Sequence, residues 1–197
     1  MSVAADVRPG PLSRAKEHIK EYRLEEKIQT RLSDGLANIK PGEADSLIMS
    51  GIGGILMMRL LQDEEHTAKS FKELILSPQS ELFDVRRYLV SNGYLIEYEH
   101  MLCDEGKYYF IFHVLVKKDE REWLEEEYRY GKDICKDDMK TFLAYLEKEE
   151  RQYEQILEKI KQAPENESTA QRIAQLHQDI TCLKKRRQLV YDCGCFA

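Results

Sequence analysis

The sequence lacks a long apolar run, a dense set of cysteines and an excess of positive charge. Its longest apolar run, 48–61, is interrupted by three glycines and an arginine, and it falls short of the ~18 residues of a membrane span. The five cysteines are scattered and odd in number, which favours reduced thiols over a disulfide framework. No basic-then-apolar signal pattern opens the chain. We therefore expect a cytoplasmic protein without a membrane segment.

Charge and composition exclude several further classes of protein. The chain has 30 Lys+Arg against 36 Asp+Glu, a net charge of −6, which excludes a uniformly basic nucleic-acid binder but allows a local basic face. A hydrophobic content of 42% excludes wholesale disorder. The five histidines have no ligand spacing, and Cys193 and Cys195 lack the second cysteine pair of a zinc site. We expect no metal site and interpret these two cysteines as free thiols.

Charge density divides the chain into two regions. In 1–116, 32 residues are charged, whereas in the shorter stretch 117–197 the number is 34. Most glycines and strand-like runs lie in the first region, and the second is rich in the Glu, Lys, Gln and Leu typical of helices. We predict an α/β domain over 1–117 and a helical arm over 118–197.

The first region alternates strands and helices. Strands are predicted at 2–7, 28–32, 44–50, 73–76, 94–103 and 107–117, and helices at 12–22, 55–61 and 81–91. This order favours a parallel sheet covered on both faces. The turn at 104–106 joins the last two strands as an antiparallel hairpin, so the edge of the sheet is mixed.

The second region is predicted to form an antiparallel helical hairpin, packed as a coiled coil. Apolar residues from Met139 to Ile160 follow a three–four spacing, 163–167 breaks the helix, and Ser168 is a plausible N-cap. The spacing then resumes up to Val190, with Arg187 in one core position. The alternative is a pair of separate amphipathic helices packed on the α/β domain.

Two aspartates and two loops follow predicted strands. Asp6 could accept hydrogen bonds from ribose hydroxyls, and Asp34 from an adenine amino group, although each also suits an ordinary cap or turn. The loop 50–54 follows a buried strand and opens a helix, but it matches neither a Walker loop nor the full GxGxxG fingerprint. Close strand–helix packing would explain its glycines equally well. The loop 77–79 would line the same crevice.

A basic run lies near the end of the last predicted helix. Residues 168–190 hold five basic residues and one acidic residue, whereas 119–158 holds 14 acidic and seven basic residues. Four consecutive cations present charge all round a helix and suit a phosphate backbone. A solvated helix face, or pairing between the two helices, would produce the same pattern. The run consists of Lys184, Lys185, Arg186 and Arg187.

Five short motifs occur in the order and at the spacing of one known family. They are 5–11, 31–36, 50–54, 74–79 and 104–109. Across residues 3–117 the sequence resembles the bacterial tRNA (adenine-22-N1)-methyltransferases, which use S-adenosylmethionine, and the arm resembles that family's C-terminal coiled coil. The sequence departs from the family at Ile52, where the family more often has Met, and at Ser77 and Gln79, where it more often has Gln and Asn.

The resemblance implies a Rossmann-like fold, S-adenosylmethionine as cofactor and tRNA as partner. It implies cofactor contacts for Asp6, Val7, Asp34, Gly35, Leu36, Ser50 and Gly51. It implies substrate contacts for Gly53, Gly54, Pro78, Gln79 and the four residues of the basic run. No catalytic acid or base is assigned, because N1 of neutral adenine carries a free lone pair and the enzyme's task is alignment and desolvation. The target base must first be unstacked.

The resemblance also implies a part that this sequence does not contain. In the family, a first strand and its glycine-rich loop precede the position that Asp6 matches, and here only five residues precede it. We therefore interpret the sequence as an N-terminally incomplete member. We expect the sheet to be split between the strands at 2–7 and 44–50, and methyltransferase activity to be negligible.

Two other functions compete with the enzyme. A non-catalytic RNA-binding or scaffold protein would keep the fold without the cofactor loop. An NAD-dependent oxidoreductase is disfavoured, because the dinucleotide fingerprint is absent.

Overall fold

The computed structural model describes residues 1–134, 138–162 and 166–192. The strands are β1 (Ser2–Asp6), β2 (Ile28–Leu32), β3 (Ser46–Ile52), β4 (Glu73–Pro78), β5 (Leu95–Asp104) and β6 (Lys107–Leu115). The helices are α1 (Pro9–Glu21), α2 (Gly54–Asp63), α3 (Glu65–Ala68), α4 (Leu82–Ser91), α5 (Glu125–Tyr130), α6 (Met139–Lys161) and α7 (Glu167–Asp192). The predicted thiols Cys193 and Cys195 lie outside the described residues, as does most of the predicted helix break.

The strands form two sheets. β1 and β2 pair in parallel, and the second sheet has the order β3-β4-β6-β5, with β3 parallel to β4 and β6 antiparallel to both its neighbours. In the described part of the chain, β1 pairs only with β2 and β3 only with β4. The predicted split of the sheet and the predicted β5–β6 hairpin are both confirmed.

The four-stranded sheet buries one face and leaves part of the other open. Leu74 and Leu76 on β4 have no exposed surface and belong to one hydrophobic core with residues of α2 and α4. On the other face, Ile48 is 75% exposed and borders a cavity of about 600 Å³. The prediction of a sheet covered on both faces is therefore wrong here. The reason is that α1 packs on β1 and β2, so it covers the smaller sheet instead.

The arm is a helical hairpin, and part of it packs against the α/β domain. Helices α6 and α7 pack against each other, and Phe142, Leu146, Leu183 and Val190 join the core of the α/β domain. Farther out, residues Leu157 and Leu176 are also buried. The hairpin therefore combines both alternatives, because its helices pair with each other and also pack on the domain.

Two details of the arm differ from the prediction. Arg186 occupies a buried position at 9% exposure, whereas Arg187, which was expected in the core, forms an ion pair with Glu150 on α6. Which side chains of a helix are buried depends on how the helix is rotated about its own axis. A rotation by one residue position decides whether Arg186 or Arg187 faces inward. The N-terminus of α7 is capped by Asn166, whose Oδ1 accepts from the N–H of Thr169 at 2.9 Å, and the predicted cap at Ser168 is wrong.

Helix α5, which was not predicted, connects the arm to the sheet. Arg86 on α4 and Glu99 on β5 form a fully buried ion pair, with Nη2 of the arginine 2.8 Å from Oε2 of the glutamate. The same guanidinium donates to the carbonyl oxygens of Tyr128 and Arg129 in α5, at 3.1 and 2.9 Å. Gly131 follows α5 at φ +89°, and a Cβ there would lie 2.9 Å from a carboxylate oxygen of Glu99. The end of α5 is therefore seated directly on a buried charge pair.

A second ion pair secures the segment before α5. Asp119 accepts hydrogen bonds from Arg121 Nε and Nη2, both at 2.8 Å, and from Trp123 Nε1 at 3.0 Å. Burial alone would raise the pKa of Asp119, but the hydrogen bonds from Arg121 and Trp123 outweigh it and lower that pKa to about 2. We call the set Arg86, Glu99, Asp119, Arg121 and Gly131 the arm joint.

Candidate cofactor and substrate site

Asp6 ends β1 at the carboxyl edge of the two-stranded sheet. Its Oδ1 accepts a hydrogen bond from the backbone N–H of Arg8 at 2.7 Å, a local bond by which aspartate redirects the chain. Helix α1 then begins at Pro9, whose fixed φ suits a first helical position. Val7, between them, is 57% exposed. The end of β1 therefore places the carboxylate of Asp6 and the exposed residue Val7 at this edge of the sheet.

The turn after β2 contains a glycine that packing requires and, next to it, an exposed carboxylate. Gly35 adopts φ +55°, and a Cβ there would lie 2.6 Å from Leu60 Cδ2 on α2. Leu36 is buried at 3% exposure and belongs to the main core. Asp34 is exposed, with one carboxylate oxygen 3.9 Å from the guanidinium of Arg59. Packing therefore accounts for the glycine and the leucine, and the carboxylate remains accessible.

The loop between β3 and α2 contains glycines of two kinds. The pairing of β3 with β4 shifts register between Ser50 and Ile52, and Gly51 between them has φ +77°. A Cβ at Gly51 would meet no atom within 4 Å, whereas a Cβ at Gly54 would lie 2.6 Å from the carbonyl oxygen of Ser80. Close packing thus explains Gly54, while Gly51 needs its backbone conformation and borders open space.

Two hydrogen bonds, one between backbone groups and one to a side chain, join this loop to residues 79–81 after β4. The N–H of Gln79 donates to the carbonyl oxygen of Ile52 at 3.0 Å, and the N–H of Gly54 donates to Oε2 of Glu81 at 3.1 Å. Pro78 is buried beneath them, while Gln79 is exposed. We call residues 50–54 and 77–81 the glycine crossing. It brings together Gly53, Gly54, Pro78 and Gln79, the predicted substrate residues of the domain.

A cavity of about 600 Å³ opens beside the crossing on the uncovered face of the sheet. It places Ser50 together with Asp104 and Tyr109 of the β5–β6 hairpin. The other lining residues are Ile48, Ile75, Ser77, Leu102, Cys103 and Ile111. The sequence predicts 104–106 as a hairpin turn and 104–109 as a family motif, and it predicts no site role for these residues. The antiparallel hairpin next to β4 was the signal that could have placed them here.

The basic run divides into inward and outward side chains. Arg186 is buried, its guanidinium lies over the ring of Phe142 at 5.7 Å, and desolvation lowers its pKa from the ordinary value. Arg187 is 2.5 Å and Lys184 3.7 Å from carboxylate oxygens of Glu150. The expectation that this run presents charge all round the helix is therefore wrong, because one cation faces inward. A role of these residues in holding tRNA stays a prediction.

No helix in 1–134, 138–162 or 166–192 is long and apolar enough to cross a membrane. In the same residues, no group of three or more His, Cys, Asp and Glu side chains is placed to hold a metal ion.

Parallel strands that carry acidic residues and a glycine loop at their carboxyl ends place the chain in the Rossmann-like α/β class. A family model narrows this class. The model of the tRNA (adenine(22)-N(1))-methyltransferase family matches residues 1–185, so the chain belongs to that family.

Individual relatives agree with the family match. The tRNA (adenine(22)-N(1))-methyltransferase of Bacillus subtilis is 27% identical over 190 residues, which cover 93% of this chain and 79% of that protein. The crystal structure of the B. subtilis m1A22 tRNA methyltransferase has a TM-score of 0.80 at 26% identity, covering 93% and 80% of the two chains. A Streptococcus pneumoniae structure in complex with S-adenosyl-L-methionine has a TM-score of 0.78 at 26% identity, covering 93% and 79%.

Proposed function

We propose that this protein transfers a methyl group from S-adenosylmethionine to N1 of adenine 22 in tRNA. The family match over residues 1–185 is the observation that carries the proposal. The geometry supports it, since the ends of β1, β2, β3 and β4 carry the residues expected to meet cofactor and base. Because tRNA is the substrate, we infer that the protein acts in the cytoplasm.

The residues at the carboxyl edge fit S-adenosylmethionine chemically. Asp6 and Asp34 supply carboxylate oxygens, the acceptors that ribose hydroxyls and an adenine amino group require. Oδ1 of Asp6 is already engaged by its own turn, which fixes the orientation of the carboxylate. Ser50 and Gly51 are exposed and border open space, so a ligand can approach the backbone closely at this point. These four residues are our proposed cofactor contacts, with Val7, Gly35 and Leu36 supporting them from the same two turns.

The chain's own work in the reaction is alignment. S-adenosylmethionine supplies an electrophilic methyl group on a sulfonium, and N1 of adenine brings a lone pair, so no side chain has to remove a proton. The glycine crossing provides a floor of fixed backbone on which the base can be held. Exclusion of water and a set approach direction are then the main contributions of the protein.

Contact with the tRNA body is proposed for the outward cations of α7. Lys185 is exposed, and Lys184 lies at the edge of its pairing distance to Glu150. Arg186 and Arg187 are engaged within the arm and are proposed to hold α7 in place. Phosphate contacts of this kind position the RNA without reading its sequence.

Ligand binding separates the enzyme from the non-catalytic alternative. Labelled S-adenosylmethionine is titrated into the chain by equilibrium dialysis, and unmodified tRNA is titrated by filter binding. The enzyme should bind both ligands, and S-adenosylhomocysteine should displace the first. Retention of tRNA without any displaceable S-adenosylmethionine would contradict the proposal and support a scaffold.

A further inference from the structure

Glu81 has a backbone conformation that glutamate rarely adopts. Its φ and ψ are 51° and 38°, in the left-handed region. The other non-glycine residues with positive φ in the described ranges are Arg23 and Glu105, and each lies in a turn. Glu81 instead precedes α4 as its N-cap, a position that is normally extended. Such an outlier points to a constraint imposed by its surroundings.

The side chain of Glu81 does not cap its own helix. No hydrogen bond joins it to α4, and its Oε2 accepts instead from the N–H of Gly54, the first residue of α2, at 3.1 Å. Ser80 Oγ donates to the same oxygen. The N-cap of α2 is Gly53, which has no side chain to offer. Glu81 therefore supplies to α2 the acceptor that α2 lacks, at the helix end where a negative charge is favourable.

The left-handed backbone is what makes this contact fit. A Cβ at Gly54 would lie 2.6 Å from the carbonyl oxygen of Ser80 and 3.0 Å from Cβ of Glu81, so the two loops touch backbone to backbone. With the chain in this left-handed turn, the carboxylate of Glu81 reaches the N–H of Gly54. The unusual φ, the two glycines and the hydrogen bond therefore form one arrangement.

We propose that Glu81 is a positioning residue, which fixes the floor of the glycine crossing by holding the first amide of α2. The proposal rests on the proposed function, because the crossing is where base and methyl donor would meet. Glu81 acts through Gly54 and needs no contact with either ligand. A displacement of the floor by a fraction of an ångström would then lower the rate of methyl transfer and leave tRNA affinity intact.

Three variants and one control test this role. Glu81→Ala removes the acceptor, and Glu81→Gly removes it while also relieving the left-handed backbone, so backbone strain cannot account for a defect shared by both. Glu81→Gln keeps an acceptor oxygen. Asp84→Ala is the control, since Asp84 is an exposed carboxylate in the first turn of the same helix.

Two measurements are made on each variant. The first is hydrogen exchange at the Gly54 amide by NMR, which should accelerate about tenfold or more in the Ala and Gly variants and stay near wild type in the Gln variant. The second is the single-turnover rate of methyl transfer to tRNA, which should fall about tenfold to a hundredfold while tRNA affinity stays within about twofold. Asp84→Ala should change neither quantity.

The two measurements can contradict the proposal in different ways. Unchanged exchange at Gly54 in the Ala and Gly variants overturns the role of Glu81, whatever the activity. Parallel losses of rate, tRNA affinity and melting temperature also overturn it, because they indicate a purely structural residue. An equal defect in the Gln variant contradicts the acceptor role. If the wild-type chain transfers no methyl group, the proposed function fails, and exchange at Gly54 still decides whether Glu81 holds the crossing.

Discussion

The glycine crossing and the arm joint differ both in what they are made of and in what they do in the fold. The crossing consists mainly of backbone groups and small residues, held by one charged side chain, Glu81, and it stays open at the carboxyl edge of the sheet. The arm joint consists of four charged side chains and Gly131, and two of those side chains, Arg86 and Glu99, have no exposed surface. The first leaves room for ligands, whereas the second fixes a helical arm against a sheet. The comparison suggests that chemistry and arm position can be disturbed separately.

The largest effect is expected from breaking the buried pair of the arm joint. Arg86→Ala would leave the carboxylate of Glu99 buried without its partner, and the free energy of unfolding should fall by about 3–5 kcal/mol. Arg87→Ala is the matched control, because Arg87 is exposed and its guanidinium lies over the rings of Phe83 and Tyr128. Urea unfolding measures both. Equal losses in the two variants would contradict the central place of the pair.

Substitutions of the two aspartates at the carboxyl edge of the smaller sheet should act on ligand binding rather than on the arm. Asp6→Ala and Asp34→Ala are each expected to weaken S-adenosylmethionine binding by about 1–3 kcal/mol, since a ligand donor is left unsatisfied. Titration of tRNA should show a much smaller change. Equal losses for both ligands would indicate misfolding, and no loss for either would remove these aspartates from the cofactor site.

A substitution at Gly131 tests how much the close contact with Glu99 matters within the arm joint. Gly131→Ala would place a methyl group 2.9 Å from a carboxylate oxygen of Glu99 at φ +89°, so we expect a loss of about 2 kcal/mol. Gly93→Ala is the control, because Gly93 has φ +78° and open space around its Cβ position. It should cost about 1 kcal/mol, the backbone part alone. Equal unfolding midpoints for both variants would show that contact with Glu99 is unimportant.

Acid should loosen the arm joint through Asp119. The pKa of Asp119 is lowered to about 2, below an unfolded value near 3.9, so its stabilisation is complete above pH ~4 and is lost as pH falls toward 2. The expected loss over that window is about 1–2 kcal/mol. Asp119→Asn should flatten this part of the pH–stability curve. An unchanged acid limb in that variant would assign the loss to other carboxylates.

The smallest effect concerns the outward cations of the arm. Reversing Lys184 and Lys185 to Glu should weaken tRNA binding about tenfold and reduce its salt slope by about 1–2. Arg187→Gln is the comparison variant, because Arg187 is paired with Glu150, and its salt slope should change less. An unaltered slope in the double reversal would remove this face of α7 from the RNA-binding account.

Sequence patterns located the crossing better than the joint for a physical reason. Strand ends and glycine turns are local, so the loops 50–54 and 77–79 of the crossing could be predicted from short stretches. Arg86 and Glu99 are thirteen residues apart on different elements, and α5 joins them from farther still. Nothing in the local pattern marks such a pair. Similarly, helix spacing predicted α6 and α7, but their rotation, which buries Arg186, depends on packing against the domain.

The most direct test of the account is the position of the methyl group on tRNA. The chain is used in excess over unmodified tRNA, together with labelled S-adenosylmethionine, so that a single round of methyl transfer is measured. Primer extension should then stop at adenine 22, and a transcript with guanine at that position should incorporate no label. Labelling of both transcripts alike, or of neither, would contradict the proposed function.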